Sequence, residues 1–168
     1  MKHIVEIICA VALLASCTTV KMQEAFAGRS NAPVNYTVKV NSVSVTENNM
    51  SDAECAHHMQ EILKMKFAAR EFDKYRGGIQ TKSVVSDIAE DVVAVDVVIT
   101  QRAFIKNIEE WNSIYMASTL TNRQGSVVAQ FGLCKETKST IVSSIEQNAL
   151  ANELYKKILK FVKNSLEY

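Results

Sequence analysis

The chain has 168 residues, of which 48% are apolar, and a formal net charge of +1. This length and apolar content are typical of one globular domain with its own core rather than of two domains. The near-neutral charge excludes the basic surface that a nucleic-acid-binding protein needs, so we expect no nucleic-acid partner.

The first 17 residues have the order of a bacterial export signal. Lys2 supplies a short basic start, residues 7–14 form an apolar run, and the small residues Ala15 and Ser16 precede Cys17. A basic start, an apolar middle and small residues before the cut are the three parts of a secretory signal. The apolar run is too short for a transmembrane helix, which needs about 20 apolar residues.

The stretch Leu14-Ala15-Ser16-Cys17 resembles the lipobox of bacterial lipoproteins. The resemblance implies that residues 1–16 are removed, that diacylglycerol is attached to the Cys17 thiol and that the new amine is acylated. It therefore implies a protein of the bacterial envelope that is attached to a membrane by the lipid on Cys17. Thr18, rather than an aspartate, follows the cysteine, which resembles an address in the outer membrane facing the periplasm.

The remainder of the chain divides into a tether and a domain. Residues 17–33 have no sustained hydrophobic period and end at Pro33, the single proline of the chain. They predict a lipidated tether. Residues 34–168 predict a single domain.

The domain begins with a strand at 35–46. In a regular strand its valines would be divided between the two faces, and a bulge near Asn41 would bring them to the same face. A capping box, Ser51 to Glu54, then begins a helix that runs to about Phe72. Residues 79–85 give a weaker strand signal. Further strands are predicted at 91–104, 111–121 and 126–134, and a second capping box, Ser143 to Glu146, begins a carboxyl-terminal helix.

The order β-α-β-β-β-α predicts an α+β fold. Its simplest packing is an antiparallel four-stranded sheet with two helices on one face. The strands on either side of Gly125 predict a β-hairpin in which Met116 faces Phe131.

The exposed side of this hairpin is the candidate surface for a protein partner, or else a second packed layer or a contact with the tether. Its residues are Trp111, Tyr115, Thr119 and Val128.

Two cysteines, Cys55 and Cys134, remain in the exported domain, where disulfides can form. A bridge would close a loop of about 80 residues and stabilise the fold by about 4–5 kcal/mol in the chain-entropy model. However, Cys55 lies on the apolar stripe of the first helix, whereas Cys134 has the opposite parity to the core side of its strand. The alternatives are therefore a disulfide or two buried free thiols.

Metal-ligand residue types cluster only at Cys55, His57 and His58. Adjacent histidines on a helix point about 100° apart, and no second cluster exists to complete a zinc site. Asp96 lies among valines without the second acid that acid–base catalysis needs, so it is expected to meet solvent or pair with Arg102 or a lysine. We expect no metal, no cofactor and no catalytic residue.

The order of elements weakly resembles that of lipopolysaccharide-assembly lipoproteins, auxiliary lipoproteins of ABC-type transporters and lipoproteins that activate penicillin-binding proteins. Only the order matches, so no residue takes a role from these families. The first expectation is a non-enzymatic binding or assembly module for an envelope protein. The alternative is a periplasmic ligand carrier or an envelope hydrolase with a pocket between helices and sheet.

Overall fold

The computed structural model of the chain describes residues 23–26, 34–68 and 89–165. The strands in these ranges are β1 (Gln23–Phe26), β2 (Val34–Glu47), β3 (Met50–Ser51), β4 (Ala89–Lys106), β5 (Glu109–Thr121) and β6 (Val127–Thr137). The helices are α1 (Ala53–Ala68) and α2 (Ser144–Asn164). The lipobox and the weak strand signal at 79–85 lie outside the described residues. Neither described helix is both long and apolar enough to span a membrane.

The described strands form one mixed sheet in the order β1-β6-β5-β4-β2-β3. The α+β class with two helices is confirmed, but the wholly antiparallel sheet is wrong because β2 and β4 pair in parallel. The reason is connectivity: the helix between these neighbours returns the chain to the starting side, so the second strand runs in the same direction as the first. The short strands β1 and β3 were not predicted.

A β-bulge in β2 confirms the predicted break in its alternation. The register with β4 shifts between Val40 and Ser42. Before the shift, Tyr36 and Val38 pack against the core, and after it Val45 is fully buried. One extra residue therefore keeps the apolar side chains of β2 on a single face.

The β5–β6 hairpin has a different register from the predicted one. Met116 faces Leu133 rather than Phe131. The loop of the turn is one residue shorter than expected, because Asn122 rather than Thr121 pairs with Ser126. Val128 of β6 is an extra residue, because Leu120 pairs with Ala129 and Thr121 pairs with Val127. The total shift is two residues, which changes the partners but leaves Phe131 and Leu133 on their predicted, buried face.

One hydrophobic core lies between the sheet and the helices. Alternate residues of β4, for example Val95 and Ile99, are fully buried against Met59 of α1 and Leu154 of α2. The period of two in the strand and the apolar stripe of each helix account for this arrangement.

Neither predicted capping box forms as expected. Ser51 belongs to β3, and the carboxylate of Asp52 instead accepts a hydrogen bond from the backbone N–H of Cys55 at 2.9 Å. Ser143 is the N-cap of α2 but makes no side-chain capping bond, and Glu146 is bonded elsewhere. The helix starts were therefore predicted within two residues, although the capping atoms were not.

The sheet has two distinct ends. We name the 107 end after the β4–β5 turn at Asn107 and Ile108, and the 124 end after the β5–β6 turn at residues 122–126. Both helices begin at the 107 end, because the long strands that precede them, β2 and β6, run toward it. At the 124 end, the N–H of Val34 donates to the carbonyl of Ser165 after α2, at 2.9 Å.

Candidate functional site

The predicted interaction residues of β5 share the outer face of the sheet, which is the face opposite the helices. Trp111, Tyr115 and Thr119 alternate with the buried residues of β5 and are each half-buried. Val98 of β4 lies on the same face and is 50% exposed. The structure thus brings three of the four predicted residues together and adds Val98, which the sequence did not single out.

Val128, the fourth predicted residue, does not join this face. It is the extra residue of the β6 bulge and packs, half-buried, against the hydrophobic core. The outward position expected for it was wrong because a bulge changes which face a side chain meets.

Asp96 is held by the bulge of β2 rather than by a basic residue. One of its carboxylate oxygens accepts hydrogen bonds from Asn41 Nδ2 at 2.7 Å and from Ser42 Oγ at 2.5 Å. Asp96 is therefore a half-exposed residue of the outer face, as the first of the two expectations has it, and its hydrogen-bond partners are Asn41 and Ser42 rather than Arg102 or a lysine. This carboxylate fixes the bulge, which explains why an acid lies in the middle of a valine-rich strand.

A buried polar network lies at the 107 end of the core. Gln101 is fully buried, and its Nε2 donates to Glu47 Oε1 at 2.7 Å and to Asn112 Oδ1 at 3.1 Å. Its Oε1 accepts from the backbone N–H of Ile141 at 2.5 Å. The amide of Gln101 thus joins β2, β4, β5 and the loop before α2. Sequence reasoning missed it, although Gln101 continues the inward parity of Val97 and Ile99.

Cys55 lies in a second polar cluster between the two helix starts. Gln147 Nε2 approaches its sulfur at 3.4 Å, and Cys55 Sγ faces the carbonyl of Ile141 at 3.7 Å. Burial raises the pKa of the Cys55 thiol, and the charge of Asp52 raises it further. The thiol therefore stays protonated near neutral pH, which makes it a poor nucleophile.

The histidines near this thiol do not form a metal centre. His58 Nδ1 donates to Gln147 Oε1 at 2.5 Å, since the amide nitrogen of Gln147 points to the sulfur. His57 is exposed on the same helix. Within the described part of the chain, no group of three or more metal-ligand residues comes together.

The Cys55–Cys134 disulfide is not formed. Cys55 is a buried free thiol on α1, at the 107 end. Cys134 is half-buried on the outer face, opposite Tyr115. The two cysteines lie on opposite faces of the sheet, as their parities indicated.

A buried ion pair fixes the first turn of α2 to the sheet. Glu146 is 6% exposed, and its carboxylate lies 2.6 Å from Lys135 Nζ and 3.1 Å from Thr137 Oγ1, both on β6. The Lys135 ammonium bonds one carboxylate oxygen and the Thr137 hydroxyl bonds the other, so the buried charge of Glu146 is compensated. This carboxylate therefore positions the first turn of α2 against β6.

Trp111 is surrounded by charged residues on the outer face near the 107 end. Lys106 Nζ and Lys138 Nζ lie 5.1 and 5.5 Å from the centre of its ring, within cation–π distance. Each lysine is also paired with a carboxylate, Glu136 at 2.6 Å and Glu109 at 2.7 Å. The indole N–H has no hydrogen-bond partner among the described residues.

A groove between α2 and β6 is too small for a ligand. It is bounded by Met116, Phe131 and Leu154, with Glu153 and Lys157 at its mouth, and has a volume of about 10 Å³. This is room for about one water molecule, whereas small-molecule pockets hold several hundred Å³. The groove therefore does not provide the pocket that a ligand carrier needs.

No family model and no curated protein matches the chain. Two solved structures of the PelC dodecamer from Paraburkholderia phytofirmans align with the chain. One crystal form, which carries a point substitution, is 13% identical with a TM-score of 0.45. A second crystal form is 10% identical with a TM-score of 0.46. Each alignment covers 86% of this chain and 97% of the other. At these values neither similarity supports a conclusion about family or function.

Proposed function

We propose that this chain is a lipid-anchored protein of the bacterial envelope that acts as a non-enzymatic binding or assembly module for an envelope protein. The anchor is proposed at Cys17, on the match of residues 14–17 to a lipobox. Thr18 after the cysteine favours the outer membrane, with the domain facing the periplasm. Three acyl chains would hold the domain stably, because stable anchoring takes about two lipid signals.

The observation that supports a binding role is the outer face of the sheet. Residues of both helices join one core cluster on the opposite face, so within the described ranges no helix covers the outer face of β4, β5 and β6. Three long paired strands make this face rigid, and a rigid surface loses little entropy when a partner binds.

The side chains of the outer face suit a protein partner. Trp111 and Tyr115 are large aromatic residues of the kind enriched in binding hot spots. Thr119 and the half-exposed Val98 add small side chains between the ends of the face. These aromatic and small side chains favour a complementary protein surface over a small molecule, in agreement with the small size of the groove beside α2.

In-cell crosslinking tests this proposal. A photoreactive amino acid replaces Tyr115 on the outer face, and a matched control replaces Lys160, an exposed residue on the solvent side of α2. The proposal predicts a reproducible envelope-protein adduct from position 115 and none from position 160. No adduct from position 115, or the same adducts from both positions, would contradict an outer-face partner.

The anchor is tested separately by mass spectrometry of the amino-terminal peptide. The proposal predicts a peptide that begins at Cys17 and carries diacylglycerol and an additional acyl chain. A Cys17→Ser chain should retain residues 1–16 and carry no lipid. An unmodified Cys17 in the wild-type protein from a bacterial envelope would contradict the anchor and leave the crosslinking result to be judged on its own.

A further inference from the structure

Exposed apolar residues concentrate at the 107 end of the molecule. Eight large apolar side chains in the described ranges are exposed, and five of them lie at this end. Those five, which we name the apolar end, are Met50, Ile105, Ile108, Val142 and Ile145. Single exposed apolar residues are ordinary, but a group at one end of a molecule marks a contact surface.

The tip of the β4–β5 hairpin is the most exposed part of the apolar end. Ile108 is 99% exposed and Ile105 is 71% exposed. Asn107 and Ile108 have φ values of 52° and 69°, the left-handed values of a two-residue turn that favours Asn-Gly. Asn107 suits its position, but a β-branched residue is strained there. Neither burial nor turn geometry explains Ile108, and such strain is typical of functional sites.

The hairpin extends beyond the rest of the sheet. The last residue of β6, Thr137, pairs with Asn112, so the four residues 108–111 continue past it as a two-stranded hairpin. At about 3.3 Å per residue this extension is about 13 Å long. Its side chains therefore reach a surface that the body of the domain does not.

The direction of β1 is compatible with an anchor at the same end. Gln23 pairs with Gly132 and Phe26 with Ala129, so the amino-terminal end of β1 points toward the 107 end. Gly132 is five residues, or about 16 Å, from Thr137. The six steps from Cys17 to Gln23 span up to about 20 Å, which is enough to reach the level of Thr137.

We propose that the apolar end inserts into the bilayer that holds the Cys17 anchor, with the tip of the β4–β5 hairpin at the boundary between headgroups and acyl chains. This inference rests on the lipid anchor of the proposed function. The extension of about 13 Å is longer than the headgroup region, which is about 5–8 Å deep, so its tip can cross that region. Ile108 then reaches the acyl chains, and Met50, Val142 and Ile145 surround the base of the hairpin.

The residues behind the tip fit this depth. Trp111 lies three residues after Ile108, and tryptophan is enriched at the level of the headgroups. Glu109 and Glu110 follow the tip directly. Because carboxylates stay in water, they limit deep insertion to the tip itself. Lys106 and Lys138 are each paired with a carboxylate, so the contact gains no net attraction to anionic lipid. Apolar burial drives it, and added salt should not weaken it.

Quenching of Trp111 fluorescence tests this proposal, because Trp111 is the single tryptophan of the chain. The full-length protein is expressed in bacteria and reconstituted into phosphatidylcholine vesicles that carry bromine on the upper part of the acyl chains. We expect Trp111 to be quenched. In Ile108→Gly and Ile105→Ser we expect quenching to fall by about half or more, since each removes apolar contact. Ile108→Gly also relieves turn strain, so its loss of quenching cannot be ascribed to unfolding.

The matched control is Met65→Ser, because Met65 is 73% exposed near the end of α1, away from the apolar end. Quenching should be unchanged in this variant. Absent quenching in protein whose Cys17 peptide carries lipid would overturn the insertion and leave the anchor intact. If the wild-type protein from bacteria has an unmodified Cys17 but still shows quenching that depends on Ile108, the insertion would be supported and the anchor overturned. A protein adduct from a photoreactive residue at 108, with no quenching in vesicles, would assign the apolar end to a protein instead.

Discussion

The turns of the β4–β5 and β5–β6 hairpins are built in opposite ways. At the 124 end, Gly125 takes φ 79°, and the side chain of Asn122 accepts hydrogen bonds from the N–H groups of Gln124 and Ser126 at 3.1 and 2.9 Å. At the 107 end, Ile108 takes φ 69° and is 99% exposed. One turn has the residues that its backbone requires, whereas the other has an apolar side chain at a strained position. The β5–β6 turn therefore only connects two strands, whereas the β4–β5 turn also exposes an apolar side chain to its surroundings.

The network beneath the 107 end gives the largest expected effect. Gln101→Ala should lower the free energy of unfolding by about 2–4 kcal/mol, because it leaves the Ile141 N–H and the Asn112 and Glu47 oxygens without their buried partner. Urea denaturation measures this loss. The control Gln130→Ala, at an exposed position of β6, should change stability by no more than about 0.5 kcal/mol. Equal effects would show that the 107 end does not depend on the network.

An isoleucine in the β5–β6 turn, like the one in the β4–β5 turn, should destabilise the protein. A Cβ at Gly125 would meet no atom within 4 Å, so only the left-handed backbone opposes a side chain there. Gly125→Ile should therefore cost about 2 kcal/mol through strain. Thermal unfolding measures it, with Gln124→Ala as a control at a neighbouring exposed position. An unchanged unfolding temperature would show that the turn adapts its φ.

The reverse change should stabilise the 107 turn. Ile108→Gly should raise the free energy of unfolding by about 1 kcal/mol, since glycine adopts φ 69° without strain. Urea denaturation with Ile105→Gly as the control separates turn relief from the loss of an exposed isoleucine, because Ile105 lies in the strand before the turn. A loss of stability in Ile108→Gly would mean that Ile108 has a structural role.

A pH effect at Cys55 should be the smallest. Its pKa is raised above the ordinary value of 9.0 by burial and then by Asp52, so the folded state favours the protonated thiol. The stabilisation that follows is complete below the unfolded pKa and is lost as pH rises through the raised folded pKa. Unfolding free energies should fall above about pH 9 in the wild type and fall less in Cys55→Ala. Parallel profiles would contradict the raised pKa.

The sequence predicted the long strands because their alternation is a local property. The strand expected at 91–104 is β4 from 89 to 106, and the one at 111–121 is β5 from 109 to 121. The bulge at Asn41 was also predictable, since the valines on its two sides have opposite parity. A pattern of alternating residues thus indicates faces and bulges without knowledge of the partners.

The pairing of distant elements was not predictable from these patterns. The parallel β2–β4 pair depends on where α1 returns the chain, and the capping atoms depend on neighbours such as Lys135, which holds Glu146. Gln101 looked like a surface residue by type, and only its parity indicated burial. For the candidate site, parity placed Trp111, Tyr115 and Thr119 on one face, whereas the apolar end was missed because its residues come from three separate segments.

The comparison of the two turns is tested most directly by crosslinking from their tips in cells. A photoreactive amino acid is placed at Ile108 or at Gln124 in the full-length protein, and the adducts are identified by mass spectrometry. We predict a phospholipid adduct from position 108 and none from position 124, because the 107 end meets the bilayer and the 124 end faces away from it. Phospholipid adducts of equal yield from both positions, or none from position 108, would contradict the assignment of the two ends.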